Sequence, residues 1–302
     1  MRFRFRLARG WVFESPADVA AAVAAPLGNT NLDKGIHFIS GLPRSGSTLL
    51  SALLRQNPEL HANITSPVGS LAVTALHEMS DAHEGAVFVD DERRKAVLRG
   101  IFRGYYHDVH AVKTVFDTNR MWSCKLPTLR QLYPAAKMIC CVREMPWIYD
   151  SIERLIRRNA LLPSKLFGFE ASGTVYDRFE ALNRSNGLIG FAWTGLRQAF
   201  YSDDASNLLL VTFETLTRDP ARALDAIYRF IDVLPFQHDF DNVEFDACEF
   251  DRRLGTPGLH NVRKQVRPEP RSTILPPDLF HRVAGDSFWK DPAQNTHGAQ
   301  II

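Results

Sequence analysis

Ile36-His37-Phe38-Ile39-Ser40, then Gly41-Leu42-Pro43-Arg44-Ser45-Gly46-Ser47-Thr48, then Leu49, Leu50, Leu53 and Leu54: this order of residues decides how the rest of the chain is read. The first five residues are an apolar run of strand length, and the leucines recur at helical spacing until Asn57-Pro58 stops them. The context is strand, glycine loop, helix. Such a turn aims free backbone N–H groups and the positive end of a helix at one point, because unpaired amides and aligned peptide dipoles both favour negative charge there. An anion site follows.

Gly41 and Gly46 enclose four residues and Ser47-Thr48 follow, which is the spacing of a nucleoside-triphosphate loop. Ser47, however, stands where that loop's lysine would reach a γ-phosphate, and Arg44 is the loop's only cation. The loop therefore suits a phosphoanion whose terminal group is not a Mg-bound γ-phosphate.

Segments 111–116, 138–142 and 208–213 read as further strands of a buried parallel sheet, since each is apolar and each precedes a turn signal or a helical pattern. After Val142, Pro146 suits a first helical turn and Ile148, Ile152, Leu155 and Ile156 mark one buried face. After Phe213, Asp219 is the expected N-cap before Pro220, with Ala223, Ile227, Phe230 and Ile231 facing inward. Strands alternating with helices imply an α/β fold, a three-layer sandwich around a central parallel sheet. The expected organisation is an arm at 1–30, a single domain at 31–290 and a polar, disordered tail at 291–302. Insertions near 64–110 and 160–205 are expected to wall a substrate site, and the proline-rich, basic stretch 252–276 to form a lid, because ligands in open α/β sheets lie beyond the C-terminal strand ends.

Composition excludes several classes. With 302 residues, 45% hydrophobic and 23% charged, the chain is an ordinary globular protein, and a net charge of +2 is too mild for general nucleic-acid binding. No apolar run approaches the roughly 18–20 residues that span a bilayer. The alternating Arg2-Phe3-Arg4-Phe5-Arg6-Leu7 is read as a strand, an arm or a misassigned start rather than a targeting segment, since Glu14 and Asp18 interrupt any signal-type core. Cys124, Cys140, Cys141 and Cys248 show no metal-ligand spacing, and adjacent Cys140 and Cys141 on a strand would face opposite sides. A reduced, cytoplasmic setting without a bound metal is the expectation.

A second signal is Cys141-Val142-Arg143-Glu144-Met145-Pro146-Trp147-Ile148-Tyr149-Asp150-Ser151. Arg143 closes a strand and Ser151 lies eight residues on, inside the next helix, so both can address a second anion.

On these residues the chain resembles the sulfotransferases, whose donor is 3′-phosphoadenosine 5′-phosphosulfate (PAPS), with a bacterial-type or tyrosylprotein-sulfotransferase-like character. The family's Pro-[Lys/Arg]-Ser-Gly-[Ser/Thr]-Thr loop, which cradles the 5′-phosphosulfate, is similar to Pro43-Arg44-Ser45-Gly46-Ser47-Thr48 position by position. Its 3′-phosphate site, an arginine at a strand end and a serine eight later, is similar to Arg143 and Ser151, and its second basic segment to Val262-Arg263-Lys264. A Tyr-Glu-x-Leu segment recurs as Phe213-Glu214-Thr215-Leu216 before Asp219-Pro220, with phenylalanine for tyrosine. The resemblance runs from about residue 36 to 285 and implies a P-loop-like 5′-phosphosulfate loop. The donor has two anionic ends, and its sulfuryl group gives Mg²⁺ no extra charge to bridge. Catalysis would then be positioning and electrostatic stabilisation by Arg44, the hydroxyls of Ser47 and Thr48 and the loop amides.

The acceptor's general base does not carry over. Where tyrosylprotein and heparan relatives have a glutamate, this chain has Asn63-Ile64-Thr65-Ser66-Pro67, and Lys125-Leu126-Pro127 lacks the histidine of the small-molecule branch. Local reasoning offers Asp117, read as ending the 111–116 strand and facing the crevice, or alternatively as an N-cap for 118–132. His61 is a second candidate base, and Arg120 stands near where relatives place a transition-state lysine. Trp122, Trp147 and Trp193 fall on helical patterns and read as core rather than adenine stackers. The expected activity is sulfuryl transfer from PAPS to a hydroxyl or amine of a small-molecule, carbohydrate or peptide acceptor, with no nucleic-acid partner. A small-molecule kinase with a degenerate loop ranks second and a non-catalytic nucleotide-binding module third.

Overall fold

The computed structural model describes residues 32–109, 114–162, 164–167 and 173–302, so the N-terminal arm lies outside the described residues. Its sheet has six strands, β1 Ile36–Gly41, β2 Leu60–Ala62, β3 Thr114–Thr118, β4 Met138–Val142, β5 Leu208–Thr212 and β6 Gln300–Ile301, in the order β2-β3-β1-β4-β5-β6. Every neighbouring pair is parallel. Parallel neighbours require crossovers. These are α1 Ser47–Leu54 after β1, α2 Val68–Glu78 and α3 Asp91–Tyr105 after β2, and α4 Leu126–Leu132 after β3. Next come α5 Met145–Arg158, α6 Val175–Asn183 and α7 Leu188–Phe200 after β4, then α8 Phe213–Arg218 and α9 Pro220–Phe230 after β5. Helices α10 Cys248–Arg253 and α11 Pro277–Arg282 precede β6.

Because strand side chains alternate, each strand feeds two cores. Phe38, Val115, Cys140 and Leu210 pack with α3, α4, α5 and α7 through Leu98, Leu129, Ile148 and Leu196. Ile39, Phe116, Cys141 and Val211 pack on the other face with Leu50, Leu216 and Ile227 from α1, α8 and α9. That is the expected three-layer α/β sandwich, with Cys140 and Cys141 on opposite faces. Both thiols are free and buried, and burial pushes the Cys140 thiol up to about 12. Trp122 stacks on Phe102 and meets Phe38 edge-on, so it belongs to the core as read. Among the described residues no helix is long and apolar enough to cross a membrane.

Two elements differ from the sequence reading. The 291–302 segment is not a disordered tail, because Gln300 and Ile301 pair with Leu209 and Leu210. Ile302 continues the ladder, its N–H donating to Leu210 O at 3.0 Å and its carbonyl accepting from Thr212 N at 2.9 Å. The two terminal isoleucines alternate faces, Ile301 packing on the first core and Ile302 on the second. The strand expected at 111–116 runs instead to Thr118, its residues 111–113 falling outside the described ones, so Asp117 lies within β3 and not beyond it.

The turn after β1 depends on Gly41. Its φ is +106°, and a Cβ there would sit 2.2 Å from Cys141 O on the neighbouring strand. Left-handed strain costs about 1–3 kcal/mol for a non-glycine residue, and a backbone clash cannot be relieved by a rotamer. Gly41→Ala is therefore expected to lower the unfolding free energy by more than about 2 kcal/mol in urea denaturation. Unchanged stability would show that β1 and β4 can part at this point.

Candidate functional site

Beyond the C-terminal ends of β1, β3 and β4 lies a cleft of about 370 Å³. Its floor is the loop after β1, where Gly41, Arg44 (φ +58°) and Gly46 (φ +96°) are all left-handed. Gly46 caps α1 without any side-chain cap, so the first amides of α1 are left to the loop side. The fully buried Ser45 steadies the turn, its hydroxyl donating to Pro43 O at 3.3 Å, while Gly46, Ser47 and Thr48 line the cleft. Phe213 and Leu216 of α8 back the loop so closely that a Cβ on Gly46 would come within 3.0 Å of Leu216.

The residues read from sequence as two anion sites line one continuous cleft. Arg44 Nε donates to Ser151 Oγ at 3.0 Å, and its Nη1 donates to the Leu259 carbonyl. Arg143, directly after β4, lays its guanidinium 4.0 Å over the Phe213 ring and donates to Arg44 O at 3.4 Å, while its buried Nε has no partner. Burial, followed by the charge of Arg271, pushes both Arg44 and Arg143 down to about 10. Arg271 itself lies 2.8 Å from the fully buried Asp150 and 5.7 Å over Trp147, with its Nε unpartnered. Asp150 also accepts from Arg154 Nε at 2.9 Å, Thr273 Oγ1 at 3.2 Å and Ile274 N at 2.8 Å, which fastens the chain after Arg271 to α5.

The basic stretch 252–276 divides between these roles. Leu259, His260, Arg263, Arg267, Glu269 and Arg271 line the cleft. Arg252 and Arg253 pair with Glu249 on an exposed surface instead. Of the Arg263–Lys264 pair, only Arg263 reaches the cleft, where it pairs with Glu269; Lys264 lies outside the lining, its carbonyl accepting from Val243 N at 2.8 Å. Both expected insertions contribute wall residues, Ile64 and Thr65 from the first, Leu166 and Leu188 from the second.

The base candidates read from sequence do not reach the cleft. Asp117 points from β3 into the core, away from the crevice, because it shares the strand face of Val115 and not that of Thr118. There Ser66 Oγ, Tyr106 Oη and Trp122 Nε1 donate to it at 2.6, 2.6 and 2.7 Å. Burial raises its pKa while these donors oppose the rise. It is not the N-cap either, since Asn119 accepts from Met121 N at 3.1 Å. His61 is half-buried on β2, in contact with Asn63 and edge-on to Tyr106, and is also not among the cleft residues. Arg120 does line the cleft, close to Thr118, a buried hydroxyl without a partner.

The sequence reading missed His260 and Asp251. Asp251, 1% exposed on α10, accepts from His260 Nδ1 at 2.5 Å and from His260 N at 2.9 Å. His260 pKa is lowered, first by burial and also by Arg44 and Arg120, against the opposing pull of Asp251. Eight residues lie between the two, mostly irregular chain after the end of α10 at Arg253, so no periodicity could announce the pair; a histidine among prolines and glycines was the only signal.

A family model described as "Sulfotransferase family" matches residues 37–238. No curated protein matches the chain. Among solved structures, a sulfotransferase from Alicyclobacillus acidocaldarius is similar at TM-score 0.47 and 15% identity, covering 86% of this chain and 93% of that one. A sulfotransferase domain from the curacin biosynthetic pathway gives TM-score 0.43, 18% identity and coverage of 67% and 75%. A mouse sulfotransferase complexed with PAP gives 0.43, 17%, 70% and 64%.

Two outcomes are expected from the geometry. Asp117→Ala strands three buried donors and should cost about 3 kcal/mol or more in chemical denaturation. An active-site loss with full stability would instead return Asp117 to the cleft. Glu269→Gln removes the carboxylate that competes for Arg263 and should tighten pyrophosphate binding by up to about fivefold in calorimetry, the value of an exposed ion pair. Unchanged affinity would show that Glu269 does not compete.

Proposed function

The chain belongs to the sulfotransferase family, and on that premise we propose that it transfers a sulfuryl group from PAPS to a hydroxyl or amine acceptor. The observation that carries this reading is the Arg44–Ser151 bond, which joins the anion loop to the Arg143 strand end. A donor with a phosphosulfate at one end and a 3′-phosphate at the other needs such a continuous, two-ended site. The partnerless Nε atoms of Arg143 and Arg271 fit an anion that supplies the missing acceptors.

The loop amides, Arg44, Ser47 and Thr48 would hold the phosphosulfate end, with Ser45 and Gly46 shaping the turn. Arg143, Ser151 and Arg263 would hold the 3′-phosphate. The donor supplies an activated sulfuryl group; the protein supplies position and fixed positive charge, where the leaving oxygen gains negative charge. Among the described cleft residues six arginines stand against one carboxylate, Glu269, which supports neutralisation of the polyanion by side chains. Arg120 would add charge near the reacting end. Ile64, Leu166, Leu188, Phe250 and Leu254 add apolar residues to the cleft lining, which favours a hydroxyl carried on an apolar body.

Calorimetry in EDTA should show binding of adenosine 3′,5′-bisphosphate, weakened about 10- to 100-fold in Arg143→Ala through loss of charged hydrogen bonds. Labelled PAPS incubated with a panel of phenols, sugars and lipid alcohols should yield a sulfated product. Absence of bisphosphate binding, together with Mg²⁺-dependent ATP turnover, would make the chain a kinase.

A further inference from the structure

We propose that His260 is the base that takes the acceptor's proton and that Asp251 positions it. This assignment rests on the sulfuryl-transfer reading above. Of the described residues lining the cleft, only His260 and Glu269 can accept a proton near neutral pH, and the Glu269 carboxylate is engaged by Arg263. His260 is held at two points, its backbone N–H and its Nδ1 both bonded to the Asp251 carboxylate. A carboxylate only accepts, so Nδ1 carries the ring proton and Nε2 is the basic nitrogen of a residue that lines the cleft. Phe250 packs edge-on at 5.4 Å and itself lines the cleft, closing one side of the ring. The preceding residue, Leu259, gives its carbonyl to Arg44, so the lid sets the base directly beside the loop cation.

The step balances without another reactant. The acceptor oxygen forms its bond to sulfur with its own lone pair, its proton passes to His260 Nε2, and the electron pair of the broken S–O bond leaves on the bisphosphate. The groups that act on the ring's charge are Asp251 on α10, which favours the protonated form, and Arg44 and Arg120 from the loop and the end of β3, which oppose it together with burial. The net direction is downward from 6.5, so the neutral base is present above the depressed value and is lost only as pH falls through it.

The test combines three measurements on the full chain. Long-range ¹H–¹⁵N NMR of the free protein should show His260 as the Nδ1–H tautomer, titrating below 6.5. With labelled PAPS and the acceptor panel, or water where no panel member reacts, His260→Ala should lose about 10²- to 10⁴-fold in turnover. Its affinity for adenosine 3′,5′-bisphosphate should stay within about threefold by calorimetry, since the Leu259 carbonyl remains. Asp251→Asn should show a similar turnover loss with an altered tautomer, and Asp251→Glu should restore part of both. An Nε2–H tautomer, or a His260→Ala enzyme of full turnover with donor bound normally, overturns the base while leaving the transfer reading intact. A wild-type protein that neither binds the bisphosphate nor transfers sulfuryl overturns both.

Discussion

Arg44, Arg143 and Arg271 meet at the C-terminal ends of β1 and β4 with more donors than acceptors, and the rest of the site is arranged around that excess. Two unit charges 4 Å apart near a protein surface interact by about 4 kcal/mol, so three guanidiniums sharing a half-enclosed cleft repel strongly. The pKa values of Arg44 and Arg143 are lowered first by burial and next by Arg271, and the second of these causes is that repulsion. The fold tolerates it because each cation is fastened separately. Arg44 is held by Ser151 and Leu259, Arg143 by the Phe213 face, and Arg271 by Asp150 and Trp147. An anion entering the cleft converts repulsion into attraction at sites that are already positioned, which is the economy of a preorganised site.

Adjacent residues on α5 divide the task. Asp150, wholly buried, gathers Arg154, Arg271, Thr273 and Ile274, and so fixes where the lid rejoins the domain. Ser151 faces the cleft side and takes Arg44. A buried carboxylate with cationic and neutral donors around it is costly to disturb, because removing it leaves its partners unpaired. The helix that Pro146 starts is therefore both crossover and anchor, and the cleft inherits its rigidity from the sheet.

How far the sequence could be read follows from how local each device is. The loop at 41–48 was legible because its glycines, hydroxyls and arginine act within one turn, whereas the left-handed backbone that Arg44 shares with Gly41 and Gly46 was not. The four long strands and the Asp219 cap were legible for the same reason, the cap accepting from Arg222 N at 3.1 Å. Strands β2 and β6, three and two residues long, are too short to show a period, and their pairing comes from the neighbours they complete. Asp117 was misread by the strand's extent: with the strand placed at 111–116 it seemed a terminal residue, whereas inside β3 parity sends it to the core, where Tyr106 and Trp122 await it. Its donors come from three separate segments, which no local pattern announces.

The lid shows what tertiary structure adds. Leu259 and His260 are neighbours in sequence, yet one addresses the cation of the anion loop and the other a carboxylate on α10. The Leu259 carbonyl that fastens Arg44 lies one peptide unit from the imidazole that Asp251 holds. The proposed donor end and the proposed base are thus held together over a single residue. That spacing fixes the imidazole relative to the loop cation. The same short connection explains why the lid is fastened at both ends, at Arg44 and at Asp150, since slack at either would be felt at the imidazole.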